Sequence, residues 1–146
     1  MREVRKARII IFDDDDFILR VLDHFFAGMD LEVLTFAEPV PCRHSESDET
    51  CRIPCADMLI TDFRMPLRNG IELLRDQTQC GCTIGIENKA VLSGELPSEC
   101  MEETYQVAGR FFAKPIPLDE LNAWAEECIG RIDLTRPLSS YDGTGD

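Results

Sequence analysis

No stretch of this chain is apolar for long enough to cross a bilayer, so a helical membrane protein is excluded. The first apolar run, Ile9–Phe12, is cut off at once by Asp13-Asp14-Asp15-Asp16, so the basic start MREVRKAR does not lead into a signal peptide. Positive charge is also scarce. Fifteen Lys and Arg face 28 Asp and Glu, a formal net charge of −13. A nucleic-acid surface needs clustered cations, so direct nucleic-acid binding is not expected. The acidic balance suits a cytoplasmic protein that binds cations or basic partner surfaces. Neither an internal repeat nor a second domain is visible. With 146 residues, 44% of them hydrophobic, the chain can build one sizeable core.

What is present is an alternation of strand and helix patterns. Arg8–Phe12 reads as a strand ending in acid. Asp15 or Asp16 can cap the helix that follows, whose apolar residues are Phe17, Ile18, Val21, Leu22, Phe25 and Phe26, with Gly28 closing it. Leu31–Phe36 is a second strand. Glu38–Cys55 has three prolines and three cysteines and is the least regular part, with weak support for a helix over Cys42–Thr50. Met58–Thr61 is a buried third strand ending at Asp62, and Gly70–Asp76 starts a helix that Cys80-Gly81-Cys82 ends. Lys89–Leu92 is a fourth strand and Pro97–Val107 an acidic helix anchored by Met101, Tyr105 and Val107. Phe111–Ala113 is a fifth strand. Pro117–Ile129 is a helix with Leu118, Leu121, Trp124, Ala125, Cys128 and Ile129 inward. Five βα repeats predict a doubly wound parallel sheet with helices on both faces. Residues 1–130 form the domain, and residues 131–146, rich in Gly, Ser, Thr and Asp, a flexible tail.

In such a sheet the C-terminal strand ends gather Asp13, Asp14, Asp62, Ser93 and Lys114 along one edge, where open α/β sheets do their chemistry. Crowded carboxylates repel, and a divalent cation relieves that cost; hard oxygen ligands suit Mg²⁺. A nearby ammonium and hydroxyl are what a phosphoryl group needs, and a carboxylate can be the nucleophile. A mere solvated helix start does not explain Asp13–Asp16, because no cap needs four acids.

Four segments, FDDDD, TDFRMPLRNG, VLSG and FFAKP, each follow or end a predicted strand. In this order and at these spacings, from about Arg8 to Ile129, the chain resembles a response-regulator receiver domain of two-component signalling. The resemblance implies a flavodoxin-like sheet of order 2-1-3-4-5. It implies that Asp62 is phosphorylated, with Mg²⁺ held by Asp13, Asp14, Asp62 and the backbone carbonyl of Arg64. It implies that Ser93 and Lys114, the latter before a cis Pro115, contact the phosphoryl group. Ser93 and Phe111 would serve as switch residues; Phe111 lacks the hydroxyl of the commoner Tyr. The implied partners are a sensor histidine kinase or phosphotransfer protein and a downstream protein, with possible homodimer formation through the last two helices. The chain would be a stand-alone receiver and no enzyme beyond its own phosphorylation and dephosphorylation.

The alternative is a small haloacid-dehalogenase-type phosphatase with Asp13 as nucleophile, Asp15 as general acid, Ser93 as phosphate ligand and Lys114 as charge partner. It leaves Asp62 and the Met65-Pro66 that follows without a role. Arg64 and Glu95, each two residues beyond a site residue, are candidates to pair across the pocket mouth. Seven cysteines are the departure from the family. Their odd number, without an export signal, makes disulfides no default. Cys51, Cys55, Cys80 and Cys82 precede neighbouring strands and could converge opposite Asp62 as a Zn²⁺ or iron–sulfur site or two disulfides, or stay free thiols. Cys42 and His44 are further candidates; Cys100 and Cys128 read as packing residues.

Overall fold

Ile9, Ile10, Ile11 and Phe12 are all fully buried, because β1 (Arg8–Phe12) lies inside a sheet covered on both faces. The computed structural model describes residues 4–38, 54–65, 69–79, 81–94 and 101–139. Within them β2 (Glu32–Phe36), β3 (Met58–Asp62), β4 (Lys89–Ser93) and β5 (Arg110–Ala113) pair in parallel with β1 in the order β2-β1-β3-β4-β5. The expected flavodoxin-like topology is therefore the one observed.

The period-two direction of strand side chains splits the core. Ile9, Ile11, Met58, Ile60, Ala90, Leu92 and Phe112 join Leu19, Leu22 and Phe26 of α1 (Asp16–Ala27) and Leu121, Trp124, Ala125 and Cys128 of α4 (Leu118–Gly130). Ile10, Phe12, Leu59 and Val91 join Ile71, Leu73 and Leu74 of α2 (Gly70–Gln79) and Val107 of α3 (Met101–Val107). Trp124 meets Phe112 edge-on, with centroids 5.9 Å apart.

Several boundaries move. Asp62 and Ser93 are the last residues of their strands rather than the first residues beyond them. β2 starts at Glu32, not Leu31, and β5 starts at Arg110, not Phe111. α2 runs from Gly70 to Gln79, ending where Cys80-Gly81-Cys82 was expected to stop it. α3 is described only from Met101, so the expected start at Pro97 lies outside the described residues, as do the segment Cys42–Thr50, Cys42, His44 and Cys100. Of the two candidate caps for α1, Asp15 is the one used: its carboxylate accepts from the Phe17 N–H at 2.9 Å. Gly28 is the C-cap, but the left-handed residue of that turn is Asp30, at φ 65°.

Two residues assigned to inner stripes point outward: Phe17 is 70% exposed and Leu118 40%. Both sit in the first turn of a helix that starts beyond the strand ends, where no core exists to receive them; with Val21, His24 and Phe25 they line one shallow groove.

Residues 131–139, expected to be a flexible tail, instead run back along the N-terminal end of the sheet. Leu134 O accepts from Arg5 N, Arg136 O from Arg5 Nε at 2.6 Å, and Ser139 O from Arg8 Nη1 at 2.8 Å, while Ser139 N donates to Pro54 O at 3.0 Å. Ile132 and Leu134 pack on the α1/α4 side of the core. The polar composition of this strap concealed two apolar anchors and a row of backbone partners. Among the described residues, no helix is long and apolar enough to cross a membrane.

Candidate functional site

The C-terminal ends of β1, β3, β4 and β5 are brought level by the sheet register. Phe12 pairs with Thr61, Asp62 with Leu92, and Ser93 with Ala113. Asp13, Asp62, Ser93 and Lys114 therefore each sit at, or one step past, a strand end on the same edge. Asp13 N donates to Phe36 O at 3.1 Å and Lys114 N to Ser93 O at 2.9 Å, so the ladder continues just past the strands and holds both side chains over the edge.

Lys114 bridges the site. Its Nζ lies 3.1 Å from Asp13 Oδ2 and 3.5 Å from Asp62 Oδ2. One ammonium thus serves two carboxylates, and a third, Asp14, stands beside them: one ligand oxygen from each of Asp13, Asp14 and Asp62 falls within 4.8 Å of the others. Asp13 and Asp62 are buried, whereas Asp14 faces solvent. The Lys114–Pro115 peptide is cis, as the resemblance implies.

Burial, followed for Asp62 by the charge of Asp13, raises both carboxyl groups above their ordinary values. The Asp15 N–H, donating to Asp13 Oδ1 at 2.9 Å, and the Lys114 ammonium work against this but do not cancel it. For Lys114, burial disfavours the ammonium, but Asp13 and Asp62 more than offset it and its affinity for a proton is raised.

With its Oδ1 bonded to the Asp15 N–H, Asp13 keeps its buried Oδ2 against the Lys114 ammonium at 3.1 Å. Three close carboxylates around one ammonium, an all-oxygen donor set, fit Mg²⁺. The Arg64 N–H donates to the Asp62 carboxylate, so the loop after β3 wraps the site.

Two local devices hold that loop. Gly70 N donates to Phe63 O at 2.8 Å, and a Cβ on Gly70 would collide with the Asp62 carbonyl oxygen and the Thr61 side chain. Asn69 and Glu72 form a reciprocal capping box at the start of α2, with bonds of 2.9 and 2.8 Å. The spacing Asn-x-x-Glu was the signal for it. Ser93 is buried at the end of β4 and Phe111 half-buried on β5, packed against the α2/α3 side of the core. Glu95, the proposed partner of Arg64, lies outside the described residues, while Arg64 itself is exposed.

The cysteines lie elsewhere. Cys55 and Cys82, which precede β3 and β4, pack into one apolar cluster at the end of the sheet opposite Asp62. Cys51 and Cys80 lie outside the described residues. Among the described residues, the Asp13, Asp14 and Asp62 group is the one set of ligating side chains close enough to share a metal, so Zn²⁺ finds no support there. Cys128 is a packing residue, as expected: burial pushes its thiol up to about 12.

Sequence reasoning missed Asp57. This carboxylate is 4% exposed at the entrance to β3. Arg5 grips both its oxygens at 2.7 and 2.8 Å, and Arg8 N adds a bond of 2.8 Å. No local pattern announces a partner 52 residues away.

No sequence-family model and no curated relative matches the chain. Solved structures do. A response regulator receiver domain protein from Clostridium thermocellum is 24% identical, with TM-score 0.65 over 86% of this chain and 95% of that one. The non-phosphorylated HemR receiver domain from Leptospira biflexa is 22% identical, with TM-score 0.68 over 92% and 100%. The receiver domain of the sensor histidine kinase PA1611 from Pseudomonas aeruginosa PAO1, solved with a magnesium ion coordinated in its active-site cleft, is 18% identical, with TM-score 0.66 over 86% and 98%. Over most of its length, the chain folds as receiver domains do.

Proposed function

We propose that this chain, which has the receiver-domain fold, is a phosphoacceptor of two-component signal transduction, phosphorylated on Asp62. The observation that carries the proposal is the bridge from Lys114 Nζ to Asp13 Oδ2 at 3.1 Å and to Asp62 Oδ2 at 3.5 Å, on the sheet edge where such chemistry is done. An oxygen of Asp62 attacks the phosphorus of a phosphohistidine on a sensor kinase or phosphotransfer protein. A P–O bond forms as the P–N bond breaks, and the electron pair of that bond stays on the imidazole nitrogen. Asp13, Asp14, Asp62 and the Arg64 carbonyl would hold Mg²⁺. When bound, the ion neutralises charge on the phosphoryl oxygens.

Lys114 already lies against the nucleophile and exchanges part of its Asp13 and Asp62 contacts for a phosphoryl oxygen. Ser93, one step past the β4 partner of Asp62, supplies its hydroxyl to another. Their movement, with Phe111, biases the face formed by α3, β5 and α4 between two binding preferences, which is a population shift. That face takes the downstream protein or a second copy, and the setting is the cytoplasm.

The phosphatase alternative is disfavoured by a specific contact. The Asp15 carboxylate, its general acid, is the N-cap of α1.

Intact-protein mass after incubation with acetyl phosphate and Mg²⁺ tests the proposal. One added phosphoryl group on wild type and none on Asp62→Asn is expected. Addition to both proteins, or to neither, would overturn the assignment.

A further inference from the structure

Beyond the phosphoacceptor site, the opposite pole of the sheet holds a cavity of about 180 Å³. Its walls are the entrances to β3 and β4 on one side and the strap on the other, with Asp57, Thr83, Gly85, Asn88, Arg131 and Arg136 among its lining. We propose that this cavity is a second binding site, for a small oxyanion of the phosphate or carboxylate class.

The charges at this pole are arranged for an anion. Arg131 is pre-oriented: its Nε donates to Asn88 Oδ1 at 3.0 Å and one Nη to Glu87 O at 3.0 Å, and Asn88 is itself held by its amide donating to Asp57 O at 3.2 Å. A guanidinium fixed by neutral acceptors keeps its full charge for a ligand. Arg136 is held through its backbone, which accepts from Arg5 Nε at 2.6 Å, while no carboxylate among the described residues pairs with its guanidinium.

The charge of Asp57 is balanced by the Arg5 guanidinium that holds both its oxygens, with the Arg8 N–H beside it. Among the described lining residues, Glu87, exposed at the rim, is the one opposing carboxylate besides Asp57. Among the described residues, with Asp57 balanced by Arg5, two guanidinium groups against one carboxylate leave this cavity cationic within a chain of net charge −13. That concentration of scarce positive charge around a walled space matches a ligand of one or two negative charges and few atoms.

The test is an amide chemical-shift titration of the full chain with inorganic phosphate, at constant ionic strength and with EDTA present. Saturable shifts at Thr83, Gly85, Asn88 and Arg131 are expected, with an affinity on the order of 1 mM. Arg136→Gln, which leaves the strap's backbone bonds in place, should weaken binding about tenfold. Glu87→Gln should tighten it a few-fold by removing the opposing charge. Shifts confined to Asp13, Asp62 and Lys114 would overturn the proposal, as would shifts that never saturate or an unchanged affinity in Arg136→Gln.

Discussion

Asp57 and Asp62 flank the same strand, five residues apart, and are 4% and 6% exposed, yet they live in opposite electrostatic worlds. At the entrance to β3, Asp57 has a dedicated arginine on both oxygens and a backbone N–H besides. At the exit, Asp62 shares a single ammonium with Asp13 and has Asp14 close by. The first arrangement is saturated, and its chemistry is finished when the chain folds. The second leaves negative charge in excess, three close carboxylates around one ammonium, which is a standing demand for a cation or an electrophile. The same residue type, equally buried at the two ends of one strand, is saturated at one end and left in an excess of negative charge at the other.

The sharpest way to break this comparison is to remove each carboxylate. Asp57→Ala leaves the Arg5 guanidinium and the Arg8 N–H facing a buried hole. It should cost about 3 kcal/mol in urea unfolding, the usual penalty for orphaning one partner of a buried pair. A loss near zero would mean that Asp57 is as dispensable to the fold as Asp62 and that the contrast is false. A smaller effect is expected from Gly70→Ala, which pushes a methyl group into the Asp62 carbonyl and the Thr61 side chain. Overpacking of that kind costs about 2 kcal/mol. Because the strain falls on the loop carrying the proposed phosphoacceptor, phosphorylation by acetyl phosphate should slow as stability drops. Slowing without destabilisation would show that the loop at the reactive end gives way more easily than its packing suggests.

The reactive end was the more legible of the two in the sequence, for a physical reason. Its groups are strand-terminal charges, and a buried apolar run that stops at Asp13, Asp62 or Lys114 marks its own end. The parallel sheet followed from the alternation of strand and helix patterns, and its order from the resemblance to receiver domains. The saturated end was illegible because its bonds cross the chain. Arg5 meets Asp57 and the carbonyl of Arg136, and Arg8 meets Ser139, 131 residues away. The strap looked like a polar tail because most of its attachments use backbone atoms, which every residue has. Phe17 and Leu118 were misjudged since helical spacing tells which face a residue is on, but not whether the core extends to that turn.

The smallest effect, and the most diagnostic, is in the pH dependence of stability. Asp13 and Asp62 bind protons more tightly in the fold than in the unfolded chain, chiefly through burial. Their contribution to stability is therefore most favourable below the ordinary carboxylate value of 3.8 and is lost as pH rises through their raised folded values. Ionising them as the pH rises comes at a cost to the fold, a cost Mg²⁺ would offset by binding only the folded arrangement. In EDTA, Asp62→Asn should therefore melt no lower than wild type at pH 7, and its stability should fall less between mildly acidic and neutral pH. Adding Mg²⁺ should raise the melting temperature of wild type more than that of the variant, and the gain should shrink as the pH is lowered and protons compete for the same oxygens. If Asp62→Asn melts well below wild type in EDTA, the carboxylate at the exit of β3 is stabilising the fold as Asp57 does at its entrance, and the two ends of the strand are alike after all.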